Sequence, residues 1–377
     1  MNSSSIIMSI SKVSDPRINR TKKYTLAEVL FLVISACVSG CNTWSSMATF
    51  GEEKIDWLRK HLPYLNGVPS EDTIVRVMRI IDPACLQKAL EECTRNIIDS
   101  PSKVINIDGK TNCGSYDTAE DKSALHVVSA FCEENKVALC NESVPNKGSE
   151  LTAMRNIIDM LNLKDATVTI DALGCQSDIL QSIVDKGGDY VVALKNNHKK
   201  LYKGVKDVFE AMETGKLKVK ISEHTSSESG HGRSEKRACR TINIDKCKEY
   251  FTDLQKWPSI KTIVEIESTR TINDKTTTCK RYYVSSSELA AQEALVTIRK
   301  HWSIENKLHW MLDIAFREDE SRVRKGNAPQ NLASAVKVAF NVLSKKKSQL
   351  KMSMPKMMQK ALLNDKFREN MLFGGEI

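Results

Sequence analysis

The spacing of apolar residues along the chain changes near residue 100, from the period of helices to that of short strands. Before this point, Leu26–Val38 is apolar almost throughout, and apolar residues between 74 and 81 repeat at helical spacing behind the candidate N-cap Ser70. Shorter helices are predicted over Trp44–Phe50 and Ile55–Leu62. Residues 1–100 are therefore predicted to form a helical N-terminal domain, which is a candidate DNA-binding domain.

From residue 101 onward, short apolar runs typical of strands alternate with amphipathic, helix-like segments. Three strands in succession are followed by helix, strand, helix and strand. This is the order of a ribonuclease-H-like α/β sheet, although other mixed α/β folds begin in the same way. The predicted strands are 104–108, 124–131, 136–144, 166–171 and 189–195, and the predicted helices are 150–161, 176–184 and 201–212. We assign residues 101–214 to the first part of such a core.

A β-rich insertion is predicted over residues 215–287, where strand patterns recur without helices between them. The predicted strands are 216–222, 237–244, 259–268 and 276–286, with a polar loop over 226–236. We assign residues 288–345 to the second part of the core and 346–377 to a basic C-terminal tail. The predicted fold class is thus α/β, with a helical domain before the interrupted core and basic helices after it.

Composition excludes several classes of protein. Hydrophobic residues make up 41% of the chain and charged residues 27%, which is the balance of a soluble globular protein. The best membrane candidate, Leu26–Gly40, contains Glu28 and is shorter than the ~20 residues that span a bilayer, so we expect no membrane partner. The 11 cysteines form no Cys-x-x-Cys pair, which argues against disulfides and zinc sites and favours the cytoplasm.

Positive charge is concentrated near the C-terminus. The net charge is +9, and residues 321–364 contain no acidic residue. The basic residues of this stretch are Arg322, Arg324, Lys325, Lys337, Lys345, Lys346, Lys347, Lys351, Lys356 and Lys360. Clustered cations gain affinity for phosphates by releasing counterions, so the pattern favours a polyanion partner, and a solvated basic tail is the alternative.

Two aspartates follow apolar strand patterns and are candidates for a metal site. Asp108 follows VINI and Asp171 follows VTI. Functional groups in open α/β sheets lie at strand ends, and carboxylates there can share divalent metal ions. The alternatives are a hairpin turn at Asp108–Gly109 and a helix cap at Asp171.

A third carboxylate candidate, Glu305, lies in the strongly patterned segment HWSIENKLHW. His301, Glu305 and His309 are four residues apart, so a regular helix would place them on one face. Two other interpretations remain open. Glu305 can be a surface residue in contact with one histidine, or the three side chains can bind zinc, although the spacing is not that of His-Glu-x-x-His proteases.

Several long segments together carry a family resemblance. They include DPRINRTKKYTLAEVLFLVISACVSG, INIDGKT, VTIDALGCQ, DYVVALKNNH, the loop HGRSEKR and HWSIENKLHWMLDIAFREDESRVRKGNAPQN. The sequence resembles the DDE transposases of bacterial insertion sequences, specifically the ISAs-type group that includes the H-repeat-associated proteins. The resemblance covers nearly the whole chain.

The resemblance implies a ribonuclease-H-like core with a mainly β insertion before the third acid, and it maps the three acids onto Asp108, Asp171 and Glu305. These residues would bind two Mg²⁺ ions, for which Mn²⁺ would substitute. One ion would activate water to cut a phosphodiester at the transposon end, and the freed 3′-hydroxyl would attack target DNA. The implied partners are double-stranded DNA, as terminal inverted repeats and as target, and a second copy in a homodimer on DNA. The implied location is the nucleoid of the bacterial cytoplasm.

This sequence departs from the pattern of related transposases in two places. The tyrosine, arginine and lysine that accompany the glutamate in related elements are replaced by Ile298, His301 and Leu312, so His301 is predicted to contact a DNA phosphate or the leaving group. Cys113 stands where this group usually has arginine. The predicted DNA contacts are Lys110, Lys195, His231, Arg233, His301, Arg322 and Arg324, and a solvated surface cation is the alternative for each.

Two other functions remain open from the sequence. A stand-alone ribonuclease-H-like nuclease would share the metal site but would join no strands. A catalytically inactive DNA-binding relic would bind the terminal repeats and cleave nothing.

Overall fold

The computed structural model of the 377-residue chain describes residues 4–19, 22–95, 102–116, 123–144, 147–230 and 232–374. The chain forms two compact units. The first unit contains residues 1–101, 109–153 and 305–377, and the second contains residues 102–108 and 154–304. Each unit is described by itself below.

Helices dominate the N- and C-terminal parts of the described chain. The helices are α1 (Ser4–Ser11), α2 (Leu26–Val38), α3 (Trp44–Glu53), α4 (Ile55–Leu58), α5 (Glu71–Ile80), α6 (Pro83–Arg95), α7 (Glu150–Met160), α8 (Ser177–Asp185), α9 (Lys199–Glu213), α10 (Ala291–His301), α11 (Trp310–Ile314), α12 (Ala328–Leu350), α13 (Met354–Leu363) and α14 (Asp365–Phe373). A π-helix, Ile304–His309, precedes α11. The helices predicted over Leu26–Val38, Trp44–Phe50 and 70–81 are confirmed, as are helices after residue 327. The helix predicted over Ile55–Leu62 is shorter than expected, because it ends at Leu58.

Strands occupy the middle of the chain. They are β1 (Val104–Thr111), β2 (His126–Cys132), β3 (Val137–Val144), β4 (Thr167–Ile170), β5 (Asp189–Leu194), β6 (Ser222–Gly230), β7 (Arg233–Asn243), β8 (Thr262–Ile272) and β9 (Lys275–Ser285). The fold is a mixed α/β structure with a large mixed sheet, as the α/β prediction requires.

In the first unit, α2 is buried along nearly its whole length, which explains its apolar sequence. Its single acid, Glu28, closes a capping box with Thr25, whose backbone N–H donates to the carboxylate at 2.7 Å. The other oxygen of Glu28 accepts from the backbone N–H of Tyr64 at 2.6 Å. The prediction of a buried helix is confirmed. Among the residues that the structure describes, no helix has the length and apolar character needed to span a bilayer.

The second unit is built on a sheet whose strands follow the order β1-β4-β5-β9-β8-β7-β6. The strands β1, β4 and β5 are parallel to one another, whereas β9, β8, β7 and β6 pair antiparallel. Helix α10 packs on one face, where Leu295 and Ile298 join a core with Cys239, Val264 and Ile266. In the first unit, β2 and β3 form an antiparallel pair.

Two local predictions in the segment 215–287 are wrong. The strand predicted over 216–222 does not form, since β6 begins only at Ser222. Alternating apolar residues form a strand only where a neighbouring strand pairs with them, and residues 216–221 have no such pairing. The predicted polar loop 226–236 is instead mostly strand, since β6 runs to Gly230 and β7 begins at Arg233. Both strands expose their side chains here, so no apolar alternation marked them in the sequence.

Candidate active site

Asp108 of β1 lies next to Asp171, which directly follows the neighbouring parallel strand β4. Ile107 of β1 pairs with Ile170 of β4, and each aspartate is the next residue along its strand direction. Both side chains are half-buried. The structure therefore brings these two predicted acids together at the carboxyl edge of the parallel strands, where open α/β sheets present functional groups.

Asp108 is not in a hairpin turn, because β1 continues through it to Thr111. The fully buried residues of β1 end at Ile107, but the strand continues to Thr111. The neighbouring strand β4 ends at Ile170, opposite Ile107, so it does not cover the later residues of β1. The apolar run therefore ends before the strand does, and the hairpin alternative is wrong.

Asp171 organises a tight turn after β4. Its Oδ1 accepts hydrogen bonds from the backbone N–H groups of Leu173 at 3.0 Å and Gly174 at 3.4 Å. A Cβ at Gly174 would lie 2.3 Å from Cγ2 of Ile170, so only glycine fits this turn. Asp171 does not cap the next helix, because the N-cap of α8 is Gln176. The Oδ2 atom accepts no hydrogen bond from the residues that the structure describes.

A buried relay of hydrogen bonds runs beneath this edge. The Asn106 amide Nδ2 donates to the Lys300 carbonyl and to the Ser303 hydroxyl, both at 3.0 Å. The Thr169 hydroxyl donates to Oδ1 of Asn106 at 2.7 Å and lies 3.0 Å from Nδ1 of His301.

The relay fixes the tautomer of His301. The backbone carbonyl of Lys300 can only accept a hydrogen bond, so the NH₂ group of Asn106 must face it. The amide oxygen of Asn106 therefore faces Thr169. Thr169 uses its single proton on that oxygen and must accept from Nδ1–H of His301. The other ring nitrogen, Nε2, then carries the lone pair.

His301 is partly buried, and burial lowers its pKa although the nearby Asp171 carboxylate raises it. A neutral imidazole is a weak counterion for a phosphate. The geometry and the lowered pKa therefore favour a hydrogen-bond acceptor over a cation at His301, and its contact with DNA stays a prediction. Sequence reasoning missed Asn106 and Thr169, for which the only signal was a polar residue within each apolar strand pattern.

We expect Thr169→Val to remove the preference of His301 for the tautomer that carries its proton on Nδ1. Valine keeps the shape but provides no acceptor for Nδ1–H, so ¹⁵N NMR of the labelled chain should show His301 gaining the Nε2–H form. Cleavage should fall by roughly tenfold, as for other groups that orient a site through hydrogen bonds. Thr167→Val, two residues earlier on the same strand face, is the matched control. An unchanged His301 spectrum in Thr169→Val would contradict the relay.

Glu305 lies in the π-helix Ile304–His309, in the first unit. Single π-turns are rare and frequently occur at functional sites. The side chain of Glu305 is exposed, and the described residues offer it no hydrogen bond or ion pair. Partial burial nevertheless raises its pKa.

The prediction that His301, Glu305 and His309 share one helical face is wrong. The helix is interrupted after His301, and the π-turn adds a residue to the repeat. His309 is buried whereas Glu305 is exposed. Within the described ranges, no group of three or more His, Cys, Asp or Glu side chains is arranged to hold a metal ion.

Lys110 is held by three carboxylates of the first unit. Its Nζ lies 2.7 Å from Asp313, 2.8 Å from Asp319 and 3.6 Å from Glu318, and only 10% of its side chain is exposed. Burial alone would lower its pKa, but these carboxylates raise it. The structure thus places this predicted DNA contact in an internal ion cluster, which sequence reasoning missed because its partners lie about 200 residues away.

Lys337 is also buried, so this member of the basic stretch is not a surface cation. Burial lowers its pKa to about 8, although the buried Glu318 raises it.

The other predicted DNA contacts have different surroundings. Lys195 follows β5 directly and is exposed, as are Arg233 and Arg322. Arg324 stacks on the ring of Tyr116 at 4.7 Å and is partly buried. His231 lies outside the described residues.

Comparison with known proteins gives consistent matches along the chain. Residues 95–342 match the family model described as "Transposase DDE domain", and residues 7–93 match the one described as "DDE_Tnp_1-associated". The chain is 35% identical to "Putative transposase YncI" of Escherichia coli O157:H7, over 99% of this chain and 95% of that protein. It is 34% identical to "H repeat-associated putative transposase YhhI" of Escherichia coli strain K12, over 97% of each chain. A solved structure of a piggyBac transposase synaptic complex with hairpin DNA matches with a TM-score of 0.47 and 13% identity, over 97% of this chain and 78% of that one.

Proposed function

This chain belongs to the DDE transposase family of bacterial insertion sequences, and we propose that it cuts the ends of its element and transfers the freed 3′-hydroxyl into target DNA. We further propose a ribonuclease-H-like core with Asp108, Asp171 and Glu305 as the catalytic acids. The observation that carries the proposal is the pairing of Ile107 with Ile170, which sets Asp108 and Asp171 on neighbouring strands. A stand-alone nuclease and an inactive relic are the alternatives.

The two aspartates fit a divalent metal ion of the Mg²⁺ class. Carboxylate oxygens are the ligands that Mg²⁺ prefers, and Mn²⁺ accepts the same set. Oδ1 of Asp171 is occupied by two backbone donors, so Oδ2 is the atom directed to an ion. An ion held by these carboxylates would supply Lewis-acid stabilisation of the charge on the attacking and leaving oxygens.

The residues around the pair have positioning roles in this scheme. The turn at Leu173 and Gly174 fixes the Asp171 carboxylate, and the Asn106–Thr169 relay leaves the lone pair of the His301 ring on Nε2. Such an acceptor can orient a water molecule or a hydroxyl group without adding charge. The exposed Lys195, at the end of β5, would then meet a phosphate at the same edge.

The proposed partners are double-stranded DNA, as terminal inverted repeats and as target, and a second copy of the chain. Two ends must be held together for strand transfer, which favours a homodimer on DNA. The exposed cations between residues 321 and 364 supply phosphate contacts.

A strand-transfer assay separates the proposed function from its alternatives. Duplexes that carry the element's end with a pre-cut 3′-hydroxyl should be joined to a supercoiled plasmid in Mg²⁺, because joining needs no prior hydrolysis. A 3′-deoxy end is the control and should give no product. Nicked plasmid without joined ends would indicate a nuclease instead, and binding without any cut in Mg²⁺ or Mn²⁺ would indicate a relic.

A further inference from the structure

The antiparallel strands of the second unit extend past the edge that carries the two aspartates. β9 pairs with β5 only through Tyr282–Ser285, and Tyr282 lies opposite Leu194, the last residue of β5. Residues 275–281 therefore continue beyond the carboxyl end of the parallel strands. Seven residues at about 3.3 Å each reach about 23 Å. We call this extension, residues 224–230, 232–239 and 266–281, the ribbon.

The ribbon is a regular antiparallel structure over its described length. Register is unbroken from Cys239 opposite Ile266 to Arg233 opposite Ile272. The turn between β8 and β9 consists of Asn273 and Asp274, both with positive φ, which is the two-residue turn that matches the twist of paired strands. A ribbon of this kind holds its side chains at fixed spacing.

One face of the ribbon continues the face on which α10 packs. Cys239 and Ile266 contact α10, and every second residue from them towards the tip lies on the same side. This α10-side face carries four exposed cations, which are Arg233, Arg270, Lys275 and Arg281. Positive charge thus runs from the edge of the sheet to the tip.

Acidic groups do not neutralise these cations. Glu228 and Glu235 share the α10-side face, but they form ion pairs with Arg237 and Arg299. No described residue makes an ion pair with Arg233, Arg270 or Lys275. Arg281 stacks over the ring of Trp302 at 5.7 Å, which leaves its charge exposed at the base of the ribbon.

The opposite face has a different character. Its distal part consists mainly of hydroxyl groups, with Thr269 3.3 Å from Thr278 and Thr271 2.9 Å from Thr276. Lys236 is the exposed cation there. Nearer the sheet, the cations Lys280 and Arg240 are bound by Glu213 and Glu265. The two faces therefore differ in available charge although they share the same strands.

We propose that the α10-side face of the ribbon binds the phosphate backbone of duplex DNA that leads away from the cut bond. This inference rests on the proposed function, because the cut bond is taken to lie at Asp108 and Asp171. A reach of about 23 Å corresponds to roughly seven base pairs at about 3.4 Å each. The cations on this face are mostly arginines, whose planar fork suits phosphate oxygens, and the contacts carry no sequence information of their own.

The test measures binding of the full-length chain to a 40-base-pair duplex of its own element end, without divalent metal, across a series of KCl concentrations. Arg270→Gln and Arg233→Gln should each weaken binding by about three- to tenfold. Each should also reduce the slope of log K against log salt by about 0.9, because one phosphate contact is lost. Lys236→Gln removes the same charge at almost the same height on the opposite face and should leave both quantities unchanged.

Hydroxyl-radical footprinting provides a second measurement. Protection roughly seven base pairs from the cut bond should disappear in Arg270→Gln and persist in Lys236→Gln. Equal effects from both faces, or no effect from either arginine, would overturn the proposed surface while leaving the proposed function intact. Failure of the unaltered chain to bind its element end would instead overturn the proposed function, and this inference with it.

Discussion

Asp108→Asn should abolish cleavage of the element's ends while leaving DNA binding unchanged. Asparagine keeps the size of the side chain but has no negative charge, so the pair formed with Asp171 no longer suits a divalent ion. A metal ion stabilises developing charge by several kcal/mol, and a loss of about 4 kcal/mol lowers the rate by roughly 10³-fold. Gel analysis of labelled ends in Mg²⁺, together with a binding isotherm, provides the measurement.

Two further substitutions and one control complete this experiment. Asp171→Asn and Glu305→Gln should have the same effect, because all three acids are proposed to hold the metal. Asp159→Asn makes the same chemical change at an exposed position on α7 and should cleave normally. Full cleavage by Asp108→Asn in Mg²⁺ would remove this residue from the catalytic set.

Lys110→Met should destabilise the first unit more than it affects DNA binding. The change leaves the carboxylates of Asp313, Glu318 and Asp319 without their shared cation, and Glu318 is buried. Breaking a buried ion pair costs ~3–5 kcal/mol, and partial exposure of the two aspartates reduces this to about 2–3 kcal/mol. The midpoint of thermal unfolding should fall by roughly 5 °C.

This measurement also separates two roles for Lys110. Lys195→Met is the matched control, because that lysine is exposed and no ion pair holds it among the described residues. The control should unfold at the normal temperature and lose about one unit of salt slope in DNA binding. The opposite pattern for Lys110→Met, with normal stability and a reduced slope, would identify it as a phosphate contact after all.

The sequence predicted those parts of the fold that leave a local signal. Apolar runs located β1 and β4, and the polar residue after each run located Asp108 and Asp171. The buried helix α2 followed from its apolar length, and its acid Glu28 is explained by the capping box with Thr25. In each case the signal lies within a few consecutive residues, whose apolar character reports that the segment is buried.

Other parts depend on contacts that no local pattern reports. The exposed strands around Gly230 and Arg233 are polar on both faces, so their sequence predicts a loop. The ion cluster of Lys110 joins residues about 200 positions apart. The catalytic role of Glu305 and the DNA contacts stay predictions, because they depend on metal and DNA outside a single chain. The predicted domain boundaries also stay predictions.

The π-turn at Ile304–His309 makes the direction of the Glu305 side chain depend on the number of residues in this segment. A π-turn holds one residue more than an ordinary helical turn, and such bulges appear as single extra residues within a helix. A sequence shorter by one position between Ile304 and His309 would replace the π-turn by an ordinary α-helical turn and rotate the residues that follow by about 100° around the helix axis. Deletions within these six residues are therefore expected to be far less tolerated than substitutions.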